Sequence, residues 1–326
     1  MRVIRCVNYG EPRDLAVAEL PDPVPGPGEA LLAVEAAGLG YVDALFVRGT
    51  YQVKLPLPFV PGSEVAGRVI AVGEGVADNL VGRRVMALSN RGALAEKLAL
   101  PAAMLSPVPE GMSAEAAAGF IVSYCTALYG LETCGHLRAG ETLLVLGAAG
   151  GVGMAAIDVA RAMGARIVAA ASTPEKLAAA LSHGADMALD YTQADWRKAL
   201  EALVGKPGLD LVYDPVGGAF SEPAFRSLAP GGRHLVVGFA AGEIPRLPLN
   251  LALLKRAALV GVDWGGEIRA NPAANLPLME KLAAWIGEGR LHPEPAAVFP
   301  LEKAGEVLQN LLERKSIGKP VIGMTA

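Results

Sequence analysis

The chain has 326 residues, 52% of them hydrophobic and only 19% charged, with a net charge of −4. That is length for two domains, enough apolar residue for a large core, and too little positive charge for an electrostatic nucleic-acid footprint. No apolar run reaches membrane-spanning length without Gly, Pro or a charge, the opening Met1-Arg-Val-Ile-Arg-Cys-Val reads as a strand and not as a signal peptide, and Cys6, Cys125 and Cys134 are too few and too scattered for a disulfide framework, so a cytoplasmic protein is expected.

Residues 1 to 110 read as short strands between turn signals. After the rigid loop Pro21-Asp-Pro-Val-Pro-Gly-Pro-Gly28, strands are predicted over 29–35, 65–72 and 82–88, which suggests a β-rich, barrel-like domain. The character changes at Ser113, a helix N-cap signal. Strands predicted over 143–146, 167–171, 209–213, 234–237 and 258–263 then alternate with helical patterns such as 154–163 and 174–183. Such alternation argues for an α/β fold, a doubly wound parallel sheet with helices on both faces. A helix over 276–287, a strand over 296–299, a helix over 301–314 and a strand over 319–323 complete the chain.

The most informative stretch is Leu143-Leu-Val-Leu-Gly-Ala-Ala-Gly-Gly-Val-Gly153, a strand breaking into glycines ahead of a helical pattern. Strand, glycine turn and helix N-terminus together make a pyrophosphate cradle, because bare backbone and free N–H groups can approach an anion. The spacing is Ala148-x-Gly150-x-x-Gly153, with alanine at the first glycine of the usual pattern, and the cradle residues are Ala149, Gly150, Gly151 and Val152. The second strand of the alternation ends in Ala171-Ser172-Thr-Pro-Glu-Lys176. NAD-binding chains place Asp or Glu there for the ribose 2′-hydroxyl. A hydroxyl and a cation in its place suit a 2′-phosphate, although Lys176 is also readable as a solvated helix residue with Glu175 as its counter-charge.

Several pieces carry a family resemblance: Asp43 followed by Tyr51, then Leu57-Pro-Phe-Val-Pro-Gly-Ser-Glu-Val-Ala-Gly67, the glycine turn, Asp214-Pro-Val-Gly-Gly218 and Gly231-Gly-Arg233. In this order the chain resembles the medium-chain dehydrogenase/reductase superfamily, and within it the zinc-free NADPH:quinone oxidoreductase branch with its zeta-crystallin-like proteins. The resemblance implies a Rossmann doubly wound sheet inserted in a GroES-like β-barrel domain. Residues 1–120 would be the first part of the catalytic domain, 121–262 the NADPH-binding domain and 263–326 the completing part, with the cofactor in the cleft between. Zinc relatives carry ligands where this chain has Gly40 and Ser63, and no Cys pair has structural-zinc spacing, so a metal-free enzyme is expected. His136, His183, His234 and His292 are dispersed and read as surface or loop residues.

By the same resemblance Lys176, Tyr191 and Arg314 would join Ser172 around the 2′-phosphate. Thr126, Gly238, Phe239, Val262 and Trp264 would lie along the nicotinamide, Tyr41 would also bind the cofactor, and Tyr41, Asp43 and Tyr51 would line the substrate cleft, with Tyr51, Asp43 and Thr126 at the reacting end. Read from the residues alone, Thr126 is equally a helix hydroxyl and Tyr51 a core tyrosine. Relatives often have Asn three residues before the Asp, where this chain has Gly40. The leading expectation is NADPH-dependent reduction of quinones or similar electron-poor acceptors. Reduction of activated C=C bonds in enones or enoyl thioesters stands beside it, with a crystallin-like binding role as a third reading. The apolar strand Ala257-Ala-Leu-Val-Gly-Val262 at a sheet edge predicts a homodimer, because a long apolar edge needs covering.

Overall fold

A computed structural model describes residues 1–324. The first strands are β1 (Arg2–Arg5), β2 (Ala16–Glu19) and β3 (Glu29–Gly38); helix α1 (Tyr41–Arg48) follows, then β4 (Glu64–Val72), β5 (Arg84–Leu88), β6 (Lys97–Pro101) and β7 (Ser106–Pro107). Helices α2 (Ala114–Ala118) and α3 (Ile121–Leu128) come next, and α3 runs on into a π-turn over Tyr129–Cys134. The alternating part is β8 (Thr142–Leu146), α4 (Gly151–Ala162), β9 (Arg166–Ala171), α5 (Pro174–Ser182), β10 (Met187–Asp190), α6 (Trp196–Val204), β11 (Leu209–Asp214), α7 (Ser221–Arg226), β12 (Leu228–Val236), α8 (Asn250–Lys255) and β13 (Ala258–Gly261). Helices α9 (Trp264–Ala270) and α10 (Asn275–Gly287), strand β14 (Ala297–Pro300), helix α11 (Ala304–Leu312) and strand β15 (Pro320–Gly323) end the chain.

The chain forms two compact units, Met1–Val122 together with the chain from His292 on, and Ser123–Leu291. Residues 263–291, grouped with the first domain by the sequence reading, lie in the second unit.

The first unit is organised on β3, whose small apolar residues are buried on both faces. One edge of β3 pairs with β4, and the other is shared in tandem by β6 and β15. The sheet runs β14-β15-β3-β4-β5-β7, and among the described residues its ladder does not close into a barrel. Sequence periodicity did not separate α1 from its flanking strands. This helix is only two turns long, opened by Asp43 Oδ2 accepting from the Gly40 N–H at 2.8 Å and ended by Gly49 in the left-handed region at φ 68°.

In the second unit the sheet order is β10-β9-β8-β11-β12-β13, with every pairing parallel. This is the doubly wound Rossmann order, which reverses direction between β8 and β11. Leu144, Leu146, Val168, Ala170 and Val212 pack on one face, and Leu143, Val145, Ile167, Ala169 and Leu211 are buried on the other. Burial on both faces is why these strands read as continuous apolar runs. No helix among the described residues is long and apolar enough to cross a membrane.

Candidate active site

The glycine turn leaves β8 at the point where the strand order reverses, the usual ligand crevice of such sheets. Gly147 takes φ 59°, a conformation costly for any side chain, so the tight turn falls to Gly147, one residue earlier than the Ala148 position where the sequence pattern looked for a glycine. Gly150 caps α4 and has no side chain to satisfy the helix N-terminus. A Cβ on Gly150 would meet only the Gly147 oxygen, at 3.4 Å. An uncapped N-terminus under open space, at Gly150, Gly151 and Val152, fits a pyrophosphate group. Ala149 is buried beside it.

At the end of β9, Ala171 pairs with Asp190, and the Tyr191 N–H donates to the Ala171 oxygen at 3.3 Å. Ser172 and Tyr191 therefore leave adjacent strand ends, and the Tyr191 ring packs on Phe220 with centroids 4.4 Å apart. Thr173 caps α5 by accepting from the Lys176 N–H at 3.3 Å, which starts the helix with Lys176 in its first turn. The Glu175 carboxyl is held below its ordinary value by its own backbone N–H and by the Thr173 hydroxyl. It is thus engaged at the helix N-terminus. Arg314 belongs to the first unit, where it is exposed beyond α11 with φ 57°.

On the other side of the reversal, β11 ends in Asp214, which fastens three segments. Its Oδ1 accepts from the N–H groups of Val216 (2.9 Å) and Gly217 (2.8 Å), and its Oδ2 accepts from the Ser221 hydroxyl (2.6 Å) and meets His234 Nε2 (3.0 Å). Its backbone oxygen accepts from the Val237 and Gly238 N–H groups. His234 is therefore not a surface or loop residue: it lies in β12, 1% exposed. Burial alone would raise the Asp214 carboxyl, but hydrogen bonding and charge from His234, with Gly217 and Ser221, outweigh it and hold the group below its ordinary value. Gly217 needs to be glycine, since it has φ 70° and a Cβ there would meet the Phe239 ring at 2.9 Å. Gly238 and Phe239 are thereby fixed at the strand ends. Val262 donates its N–H to Val236, and Trp264 opens α9 with its indole N–H on Asn275 Oδ1 at 3.2 Å. Thr126 sits half-buried in α3. Every cofactor position expected in the alternating part, Thr126 aside, thus stands at the carboxyl edge of the parallel sheet or in the first turn beyond it.

In the first unit, Tyr41 opens α1, and Tyr51 follows it with its ring edge-on to Phe46, centroids 4.9 Å apart. Asp43 is buried, with its Oδ2 on the Gly40 N–H. Burial raises its carboxyl against the opposing pull of Lys319, the Gly40 N–H and Ser63. Sequence reasoning missed Lys319, which is ion-paired with buried Glu64, and gave no role to Asp214, although its Asp-Pro-Val-Gly-Gly turn was visible. Among the described residues no group of three or more His, Cys, Asp or Glu is gathered to hold a metal ion.

Residues 26–110 match the alcohol dehydrogenase GroES-like domain, and residues 151–281 match the zinc-binding dehydrogenase family. The chain is 37% identical over 325 residues to the rat quinone oxidoreductase-like protein 2, covering 99% of this chain and 92% of the relative. The quinone oxidoreductase of Thermus thermophilus, solved also as its complex with NADPH, superposes with a TM-score of 0.84 at 37% identity, over 99% of this chain and 100% of that one. A mycobacterial protein solved complexed with NADPH gives 0.90 at 32%, over 99% and 100%. The chain belongs to the medium-chain dehydrogenase/reductase superfamily, in its quinone oxidoreductase-like branch, and is an oxidoreductase enzyme.

Proposed function

We propose that this enzyme uses NADPH to reduce quinones or similar electron-poor carbonyl acceptors without a metal ion. The observation that carries the cofactor choice is the end of β9. Ala171 and Ser172 stand where a ribose-binding carboxylate would be, with Tyr191 on the adjacent strand end and Lys176 in the helix turn that follows. A 2′-phosphate is favoured by hydroxyl donors and a cation and repelled by an acid. Arg314 is assigned to the same phosphate. The NADPH complexes of the Thermus and mycobacterial relatives support the reading.

When bound, the reduced nicotinamide supplies a hydride with its electron pair. The Gly147–Gly153 turn orients the cofactor through its pyrophosphate. Gly238, Phe239, Val262 and Trp264 shape the surface along the nicotinamide, with Thr126 as a hydroxyl beside it. Tyr41, Tyr51 and Asp43 are assigned to the acceptor, with Tyr51 as one hydrogen-bond donor to its oxygen. Assembly as a homodimer through β13 belongs to the same reading. This strand ends the sheet, Leu259 on it is 52% exposed, and Leu253 and Leu254 of the preceding helix are 78% and 70% exposed. Pairing two such edges about a twofold axis covers them.

The test is cofactor oxidation with NADPH and with NADH against a panel of quinones and enones. The reading expects NADPH preference and quinone turnover that survives chelators. NADH preference overturns the cofactor assignment, turnover confined to enones overturns the acceptor assignment in favour of C=C reduction, and loss of turnover with EDTA overturns the metal-free premise.

A further inference from the structure

Three charged side chains from distant parts of the sequence meet inside the first unit. Asp43 comes from the first turn of α1, Glu64 is the first residue of β4, and Lys319 immediately precedes β15. Glu64 is 1% exposed, its Oε1 accepts from the Val122 N–H at 2.8 Å, and its Oε2 is ion-paired with Lys319 Nζ. Both carboxylate oxygens are therefore engaged, and the ammonium is held in one place. Asp43 lies beside it with Oδ2 on the Gly40 N–H, and Ser63 gives its carboxyl a further hydrogen bond.

Gly40 is the open side of this group. It is only half-buried, and a Cβ built on it would have two neighbours within 4 Å, Asp43 Oδ2 and Lys319 Nζ, both at 3.5 Å. A single atom resting over Gly40 is thus within reach of an ammonium and of a carboxyl group at once. An ammonium carries three donors, and Glu64 receives one. Burying an ion pair such as Glu64–Lys319 is costly, and well-packed apolar residues of similar volume often serve a fold as well. A purely architectural role leaves the open side at Gly40 unexplained.

We propose that Lys319, fixed by Glu64, is a catalytic residue that donates a hydrogen bond over Gly40 to the reducible oxygen of the acceptor, and that Asp43 delivers the proton to that oxygen. The inference rests on the reductase reading above. As the hydride's electron pair forms the new bond to the acceptor, the electron pair of the acceptor's C=O bond moves onto oxygen beside the Lys319 ammonium. The O–H bond then forms as the Asp43 carboxyl O–H bond breaks. Acceptor plus hydride plus proton gives the reduced acceptor, and the Asp43 carboxylate recovers its proton from water over Gly40. Burial keeps the Asp43 carboxyl above its ordinary value, which favours the protonated form this step needs.

The test compares wild type with Lys319→Met, Lys319→Arg, Lys319→Ala and Glu64→Gln, with Tm and the Kd for NADPH measured on each. Lys319→Met is expected to lower kcat/KM for a quinone by about 10²–10³-fold, as for loss of one oxyanion donor, with the Kd for NADPH unchanged. Lys319→Arg should restore part of the loss, ethylammonium should restore part of it in Lys319→Ala, and Glu64→Gln should fall between wild type and Lys319→Met. Wild-type turnover in folded Lys319→Met overturns the proposal. Should that variant fail to fold, Glu64→Gln decides, and unchanged kcat/KM there overturns it equally.

A second readout needs no turnover. 4-Nitrophenol bound to the wild-type enzyme should ionise at lower pH than the same probe bound to Lys319→Met or, if that variant does not fold, to Glu64→Gln. Equal ionisation in wild type and variant overturns the role of Lys319 even if no quinone is reduced. A wild-type enzyme that turns over no quinone but still shifts the probe overturns the reductase reading and leaves the oxygen-binding role of Lys319 standing.

Discussion

The carbonyl oxygen of Gly147 fills the space that a side chain on Gly153 would need, 2.4 Å from the point where its Cβ would stand, with Ala148 Cα at 2.9 Å. Gly150, three residues earlier, has only one atom within 4 Å of the same construction, at 3.4 Å. Two glycines of one turn thus serve different ends, the third seating α4 on β8 and the second leaving the cradle open.

Gly153→Ala is therefore expected to destabilise the fold by about 1–3 kcal/mol through overpacking, lowering Tm. Gly150→Ala should leave Tm nearly unchanged and weaken NADPH binding, because its methyl group enters the space meant for the pyrophosphate. Thermal melts and NADPH titrations of both variants check this, and equal losses of Tm would contradict it.

Lys176→Ala should weaken NADPH by about 1–3 kcal/mol, a lost charge-assisted contact, and leave NADH almost unaffected. Parallel titrations with the two cofactors give the answer. An equal loss for both would return Lys176 to the role of a solvated helix residue.

The two buried aspartates should give opposite pH slopes of stability. Asp214 is held low in the folded state, so its stabilisation is present above the ordinary aspartate value and is lost as pH falls through the lower folded value. Asp43 is held high, so its contribution is present below the ordinary value and is lost as pH rises through the folded one. Relative to wild type, Asp214→Asn should look worst at neutral pH and improve on acidification, whereas Asp43→Asn should improve as pH rises. Denaturant midpoints across that range test both signs.

Tyr51→Phe should leave Tm unchanged, since the ring keeps its contact with Phe46. Its cost in kcat/KM should approach about 2.7–4 kcal/mol for an enone, where charge gathers on one oxygen, and be smaller for a quinone, where it spreads over the ring. Equal losses on both acceptors, or none on either, would remove Tyr51 from the reaction.

Leu259→Arg places a charge on the exposed edge of β13 and should shift the protein toward monomer in light scattering. A wild-type protein that is already monomeric at micromolar concentration would dispose of this assembly.

What was legible in the sequence follows from the range of the forces involved. The β8 turn and α4 could be read because a change from strand to helix periodicity and the glycines that permit it are adjacent in the chain. Parallel strands buried on both faces were visible as apolar runs. Helix α1 escaped because its start depends on Asp43 closing back on Gly40, in a segment too short to show a period. Lys319 escaped because its partner Glu64 is 255 residues away. The burial of His234 follows from Asp214 twenty residues before it, on a neighbouring strand, which spacing alone does not disclose.

Strand β3 also orders the events of synthesis. Its second edge stays half bare until β15 reaches Ala36, Ala37 and Gly38, and β15 is made after the whole of the second unit. The second unit is one uninterrupted segment, so it can complete its sheet during translation, as contiguous domains do. The first unit must wait, its central strand holding exposed N–H and C=O groups while nearly two hundred further residues emerge. A ribosome stalled before residue 320 would therefore carry a finished nucleotide-binding fold beside an unfinished sheet, and the last strand made is the one that seals it.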